Sequence, residues 1–241
     1  MIMKTLHYLR AILVLLVTPA STLALSISAL ILGSCTRSPA VWVQALAKRW
    51  GRLICSLAGA RVSVEGRENL VQAGPYIFAA NHQSQFDIFA LQGYLGCDFR
   101  WMAKKELFAV PIFGAAMRSA GYISVDRSRG RQAMQSLIEA ARRIADGTSV
   151  VIFPEGTRSR DDQLQDFKSG AMVLAIKAGV PIVPVAIIGT HQILPKGKLL
   201  ARSGQVLIKI GQPIDTTKFS GSDKQALALR LQQAVADLIA G

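Results

Sequence analysis

From Ala11 to Thr36 the chain carries no charged side chain, the run being bracketed by Arg10 and Arg37. As one helix it would rise roughly 35 to 40 Å, enough to cross a hydrocarbon core of about 30 Å. So long an apolar run has to meet either protein or lipid. Pro19 and the polar residues Ser21, Thr22, Ser26 and Ser28 break its uniformity, and a proline inside a helix removes a backbone hydrogen bond and bends the axis. Two kinds of anchor follow: a single span, or a bent, re-entrant or interfacial helix. Lys4 and Arg10 ahead of the run also suit a cleavable signal peptide, but the run is longer than a usual signal core.

A chain of 241 residues accommodates one substantial domain and an appendage. Its 51% hydrophobic content and mean hydropathy of +0.32 exceed the needs of an ordinary soluble domain, so apolar surface is expected at lipid. The net charge of +13 requires a partner of opposite sign. Residues 1–60 hold Lys4, Arg10, Arg37, Lys48, Arg49 and Arg52 and no acid, a pattern that grips anionic headgroups and favours the cytoplasmic side of a membrane. Nucleic acid is the runner-up partner, but no aromatic-rich basic strand or finger motif supports it, and none is expected. Cys35, Cys55 and Cys97 are scattered and odd in number, which suggests neither a disulfide framework nor a zinc site. Without a metal cluster, a glycine-rich phosphate loop or a dinucleotide fingerprint, the sequence gives no reason to expect a bound cofactor or metal.

Trp42 to Ala60 reads as a second, amphipathic helix, with Trp42, Leu46, Trp50, Leu53, Ile54 and Leu57 roughly on one face and Lys48, Arg49 and Arg52 towards the other. It fits a membrane interface and a helix packed on the catalytic domain equally well. Beyond Arg61, β-rich runs at 61–65, 76–80, 121–125, 149–153, 181–188 and 205–211 alternate with helical patterns at 84–96, 105–119, 130–146, 168–178 and 223–239. The expected organisation is an N-terminal helical membrane anchor over 1–60 and one α/β domain over 61–241.

The run "YIFAA" leads straight into "NHQSQFD", which places His82 at a strand end and Asp87 inside the next helix. Strand ends are where open α/β sheets bind ligands. Helical positions five apart face different ways, so His82 has to precede the helix for Asp87 to reach it. The carboxylate then accepts from Nδ1 and leaves Nε2 free to take a proton, the arrangement of an oriented general base. Ser84 and Asp87 also read as a capping box, a purely structural pair.

"NHQSQFD" at 81, "GYISVDR" at 121, "FPEGTRS" at 153 and "VPIVPVAI" at 180 resemble, in order, the four blocks of the glycerolipid acyltransferase family. Their spacing is similar to that of the bacterial 1-acylglycerol-3-phosphate acyltransferases, and the resemblance covers roughly residues 60 to 215. It implies a mixed α/β sheet flanked by helices, with His82 and Asp87 as the catalytic dyad. It also implies an acceptor-phosphate site at Arg127 and at Glu155, Gly156, Thr157 and Arg158. Arginine suits that task because its planar fork binds two oxygens at once. The alternative for Arg158 is an ion pair with Glu155, Asp161 or Asp162. Glu155 either contacts a glycerol hydroxyl, holds an arginine or is structural. Lys104, Lys105 and Lys168 are further phosphate candidates, set against the ordinary reading of solvated lysines. Pro184 lies in the block that the family ties to the acyl donor, but the same residues read equally well as a buried strand. Ser124 stands where the family commonly has an aromatic residue.

The implied reaction moves a fatty acyl group from acyl-CoA or acyl-carrier protein to the sn-2 hydroxyl of lysophosphatidic acid, making phosphatidic acid at the cytoplasmic side of a bacterial inner membrane. With no G-x-S-x-G elbow in the sequence, direct transfer is expected rather than an acyl-enzyme. Two rival readings are an acyltransferase for another lyso-lipid, such as a lyso-ornithine lipid or a lysophospholipid, and a non-enzymatic lipid-binding membrane protein.

Overall fold

The computed structural model describes residues 2–71, 74–126 and 130–241, with side chains from Tyr8 onward. Its elements run α1 (Ile2–Cys35), α2 (Pro39–Ala58), β1 (Ala60–Glu65), β2 (Ile77–Ala80), α3 (Phe86–Tyr94), β3 (Arg100–Lys104), α4 (Phe113–Ser119), β4 (Ile123–Val125), α5 (Arg131–Ala145), β5 (Val150–Ile152), α6 (Ser169–Ala178), β6 (Ile182–Ile188), α7 (Thr190–Ile193), β7 (Gly204–Ile210) and α8 (Lys224–Ala240). The strands form one mixed sheet in the order β1-β7-β6-β2-β5-β3-β4, antiparallel between β6 and β7 and parallel elsewhere.

Strand side chains alternate between the two faces of a sheet, and the core divides accordingly. Phe78 and Ala80 of β2 pack with Ile54 and Cys55 of α2 and Phe86 and Leu91 of α3. Their neighbours Ile77 and Ala79 pack on the other side with Ile144 of α5, Met172 of α6 and Leu231 of α8. β2 is buried at every position, so it reads as a continuous apolar run, as central parallel strands do.

Helix α1 continues unbroken through Pro19. The hydroxyls of Thr18, Ser21 and Thr22 each donate to the carbonyl four residues earlier, at 2.6 Å, so the polar run is satisfied within the helix. Ala11, Val14, Ser26 and Ala29 face inward, while Leu9, Leu16, Leu23, Ile27 and Ile31 are exposed. Val14 joins the core beneath α2, and Ala29 packs against Val43, Ala116 and Ala120. The Ser119 hydroxyl donates to the Ala29 carbonyl at 3.0 Å. The inward side of α1 thus lies along the α/β domain over about 22 Å of helix.

Helix α2 approaches α3 closely enough that a Cβ on Gly51 would meet the Phe89 carbonyl at 2.7 Å and the Gly93 nitrogen at 2.8 Å. The core is therefore continuous across residue 60, where the composition of the chain changes.

Three segments differ from the sequence expectation, one being the short helix α7, where no helix was expected. The stretch 100–104 is a strand, paired with β4 and β5. The helix expected over 105–119 is a 3₁₀ turn at Lys105–Ala109 followed by α4. Pro111 separates the two, and Ile112 adopts φ 62, ψ −59, a tight turn in which the Phe113 N–H donates to the Pro111 carbonyl at 2.6 Å.

Candidate active site

β2 and β5 run side by side, with Ala79 opposite Ile152, and they leave the sheet together at their carboxyl ends. Three residues beyond these partners, the His82 N–H donates to Glu155 Oε1 at 2.6 Å. The second Glu155 oxygen accepts from the Gln165 N–H at 3.3 Å. Burial pushes this carboxyl up to about 7, against the pull of the His82 and Gln165 N–H groups and with a smaller upward contribution from the Asp87 charge. Glu155 is 2% exposed and ties the histidine loop to the "PEGTR" turn. The Ser159 N–H closes a second tie by donating to the His82 carbonyl at 2.8 Å. On the other flank Asn81 extends the sheet through its side chain, donating to the Ile187 carbonyl at 2.9 Å and accepting from the Ile187 N–H at 2.6 Å.

The His82 Nδ1 lies 2.8 Å from Asp87 Oδ2. Asp87 is fully buried, and the same oxygen accepts the Gln83 N–H at 2.8 Å and the Ser84 N–H at 2.9 Å. Thr190 at the start of α7 donates its hydroxyl to the other oxygen, Oδ1. The Ser84 hydroxyl accepts the Phe86 N–H at 3.0 Å and donates to the Leu194 carbonyl at 2.6 Å. The serine and the aspartate thus tie down the loop ahead of α3 without forming a capping box, since the Asp87 N–H donates to the Ser84 carbonyl and not to its hydroxyl, and the aspartate also holds the imidazole. An aspartate carrying this many donors stays an acceptor, which places the Nδ1 proton on histidine and leaves Nε2 as the basic nitrogen.

The ring is also held from its face. It stacks on Phe153 with centroids 3.8 Å apart and planes 11° apart, and Phe153 stacks in turn on Trp101 at 5.9 Å. The histidine side chain keeps 15% exposure, and it opens onto a cavity of about 580 Å³. Leu25 and Ala29 of α1, Val43 and Trp50 of α2, and Ile88 of α3 give that cavity apolar walls. Among the described residues the cations on its lining are Lys104, Arg158 and Lys196.

Gly156, Thr157 and Arg158 also line the cavity. Gly156 takes φ 76, and a Cβ there would press on Lys168 Nζ at 2.9 Å, so glycine lets the turn pass under the lysine stem. No salt bridge forms at Arg158 among the described residues; Asp161 accepts the Ser159 hydroxyl instead, at 2.9 Å. Lys105 is outside the lining and pairs with Asp126 at 2.7 Å. Lys168 is exposed and also outside the lining. Arg127 lies outside the described residues.

Lys196 and Thr190 carry no signal within the four sequence blocks. Lys196 reaches the site because its Nζ donates to the Arg158 carbonyl at 2.5 Å, and Thr190 because β6 delivers α7 beside α3. The "GTHQILPKG" segment that holds both begins one residue beyond the fourth block, which is the one clue the sequence offered.

The Acyltransferase family model matches residues 61–188. The chloroplastic 1-acyl-sn-glycerol-3-phosphate acyltransferase LPAT1 of Arabidopsis thaliana is 38% identical over 160 residues, covering 66% of this chain and 45% of that protein. Human 1-acyl-sn-glycerol-3-phosphate acyltransferase alpha is 33% identical over 180 residues, covering 74% and 64%. The chain thus spans less than two thirds of these curated relatives' lengths. The crystal structure of the 1-acyl-sn-glycerophosphate (LPA) acyltransferase PlsC from Thermotoga maritima superposes with a TM-score of 0.79 at 28% identity, covering 96% of this chain and 97% of that one. A family match over more than half the sequence, with the same architecture from end to end, establishes that this chain belongs to the Acyltransferase family.

Proposed function

We propose that the protein transfers a fatty acyl group from a thioester, acyl-CoA or acyl-carrier protein, to the sn-2 hydroxyl of lysophosphatidic acid. The observation that carries this reading is the His82–Asp87 pair at 2.8 Å, opening onto an apolar cavity whose lining also bears Arg158, Lys104 and Lys196. A base, a place for an alkyl chain and a cluster of cations are what joining an acyl thioester to a phosphate-bearing alcohol requires. The names of the relatives agree with it.

In the proposed reaction Nε2 of His82 takes the proton of the sn-2 hydroxyl as that oxygen attacks the thioester carbonyl carbon. The tetrahedral intermediate expels the thiolate, which takes the proton back from the imidazolium. Asp87 stabilises the imidazolium in between, and no covalent acyl-enzyme forms. Arg158, with Lys104, holds the acceptor phosphate. Apolar walls suit the alkyl chains, each buried methylene contributing about 0.8 kcal/mol.

Helix α1 is long and apolar enough to cross a membrane by length and composition. Its contacts favour a different placement. A spanning helix would leave the catalytic domain after its first turns, whereas α1 rests on that domain at both Val14 and Ala29. We read it as lying in the plane of the interface, its exposed leucines and isoleucines in lipid. The basic, acid-free residues 1–60 support a position at an anionic cytoplasmic face, which in a bacterium is that of the inner membrane.

A labelled acyl thioester supplied with lysophosphatidic acid, a lysophospholipid and a lyso-ornithine lipid in parallel tests the proposal. Phosphatidic acid is the expected product. Preferred acylation of either other acceptor would reassign the cations to a different headgroup, and no acylation at all would defeat the reading.

A further inference from the structure

Opposite the sheet face that carries α5, α6 and α8, the loop 195–203 between α7 and β7 combines basic and apolar residues without an acid. It reads Pro-Lys-Gly-Lys-Leu-Leu-Ala-Arg-Ser, and no aspartate or glutamate occurs anywhere between Asp166 and Asp215. Leu199 is 71% exposed and Leu200 41%. An isolated exposed leucine needs no explanation. Two in succession, flanked by Lys198 and Arg202 and followed by an anchored residue, do. Ala201 is buried in the core beneath, and the Arg202 N–H donates to the Ile193 carbonyl at 2.8 Å. The leucines therefore project from a fixed base.

The two ends of the loop reach two different places. Lys196 lines the cavity and donates to the Arg158 carbonyl. Ser203 meets the N-terminal part of α1 at Gly59, where a single added Cβ would lie 3.1 Å from the Ser203 side chain and 3.2 Å from Arg10 Nη1. The carboxyl end of the loop thus lies near Arg10 of α1, a helix that itself exposes Tyr8, Leu9 and Leu13.

We propose that loop 195–203 docks on an anionic lipid surface, with Leu199 and Leu200 in the acyl region and Lys198 and Arg202 on headgroup phosphates. This rests on the reading of α1 as an interfacial helix. An acidic carrier protein would find the same cations, but the paired exposed leucines, together with the exposed leucines and isoleucines of α1, favour lipid. Cations and apolar side chains side by side are how peripheral segments hold an anionic membrane. Because the loop is hydrogen-bonded to Arg158 at its base, docking would also set the cavity mouth against the surface that supplies the lipid acceptor.

The test uses the full chain with Cys35→Ser and Cys97→Ser. Cys55 remains, since it is fully buried and burial pushes its thiol up to about 12. An environment-sensitive fluorophore is placed singly by Leu199→Cys, Leu16→Cys on α1 or Leu229→Cys on α8, the last being on the opposite layer. With phosphatidylglycerol vesicles the probes at 199 and 16 are expected to shift to the blue and to be quenched by brominated lipid, and the probe at 229 is not. A response at 16 without one at 199 would overturn the loop inference and leave the interfacial helix standing. Silence at both would overturn both. A response at 199 to an acidic acyl-carrier protein but not to vesicles would hand the loop to the carrier. Independently, Lys198→Gln with Arg202→Gln should weaken binding to phosphatidylglycerol vesicles by on the order of twentyfold while sparing turnover of a short-chain, water-soluble acceptor. Unchanged vesicle affinity would count against the proposal.

Discussion

Thr190 and His82 occupy opposite oxygens of one buried carboxylate, the threonine hydroxyl on Asp87 Oδ1 and the imidazole Nδ1 on Oδ2. Asp87 is thereby fixed in rotation, and the plane of the ring follows from it. Hydrogen bonds to charged groups contribute about 1.5 to 3 kcal/mol. Thr190→Val, which keeps the shape and removes the donor, should lower kcat by about tenfold and leave the KM for both substrates little changed. Thr190→Ser should restore kcat. If the valine variant lost stability but kept the wild-type kcat, Thr190 would be a packing residue only.

Removal of the proposed base has the larger expected effect. His82→Ala should reduce acyl transfer by about 10² to 10⁴, the range for general acid–base groups. Asp87→Asn should also be severe, because the amide presents a donor or an acceptor where two backbone N–H groups and the imidazole all need an acceptor. Circular dichroism and vesicle binding of the purified variants would separate lost chemistry from lost folding. Near-native turnover by His82→Ala would end the dyad assignment.

The His82–Asp87 contact was legible in the sequence because it is local: five residues and one strand-to-helix turn contain it. The same holds for the sheet's central strands, whose continuous apolar runs need no partner to be recognised. Strand 100–104 was hidden because Arg100 and Lys104 break its pattern and its pairing depends on β4 and β5. The helical pattern over 105–119 was apolar in the right rhythm, yet Pro111 stops a helix whatever the rhythm says. Lys104 and Lys105 are adjacent and alike in sequence, and only the fold separates them, one onto the cavity lining and the other onto Asp126. Lys196 became visible only when the loop after α7 closed over the "PEGTR" turn.

Arg158 provides the test of acceptor recognition. It lines the cavity free of salt bridges among the described residues, so its guanidinium is available to an anion. Arg158→Ala should lower kcat/KM for lysophosphatidic acid by about 10- to 100-fold, the value of one or two charge-assisted hydrogen bonds. The KM for the acyl thioester should change far less. Initial rates with each substrate varied in turn decide it, and an equal rise in both KM values would speak for a general disturbance of the turn, since Lys196 binds the same residue's carbonyl.

Glu155 makes stability depend on pH in a definite direction. Its carboxyl rises from 4.5 to about 7 in the folded protein, chiefly through burial. The folded state therefore holds this proton more tightly than the unfolded state does. Between pH 4.5 and about 7 the folded chain binds more protons, and stability falls as pH rises through that window. The contribution is complete below 4.5 and gone once pH has passed about 7. Thermal unfolding at a series of pH values should show a declining midpoint across this interval. Glu155→Gln, with no proton to release, should flatten the decline while lowering the midpoint at acid pH, because an amide nitrogen would face the Gln165 N–H that now donates to Oε2 at 3.3 Å. Parallel pH curves for the two proteins would mean that the carboxyl titrates in its ordinary range and that its burial is offset by the two backbone donors.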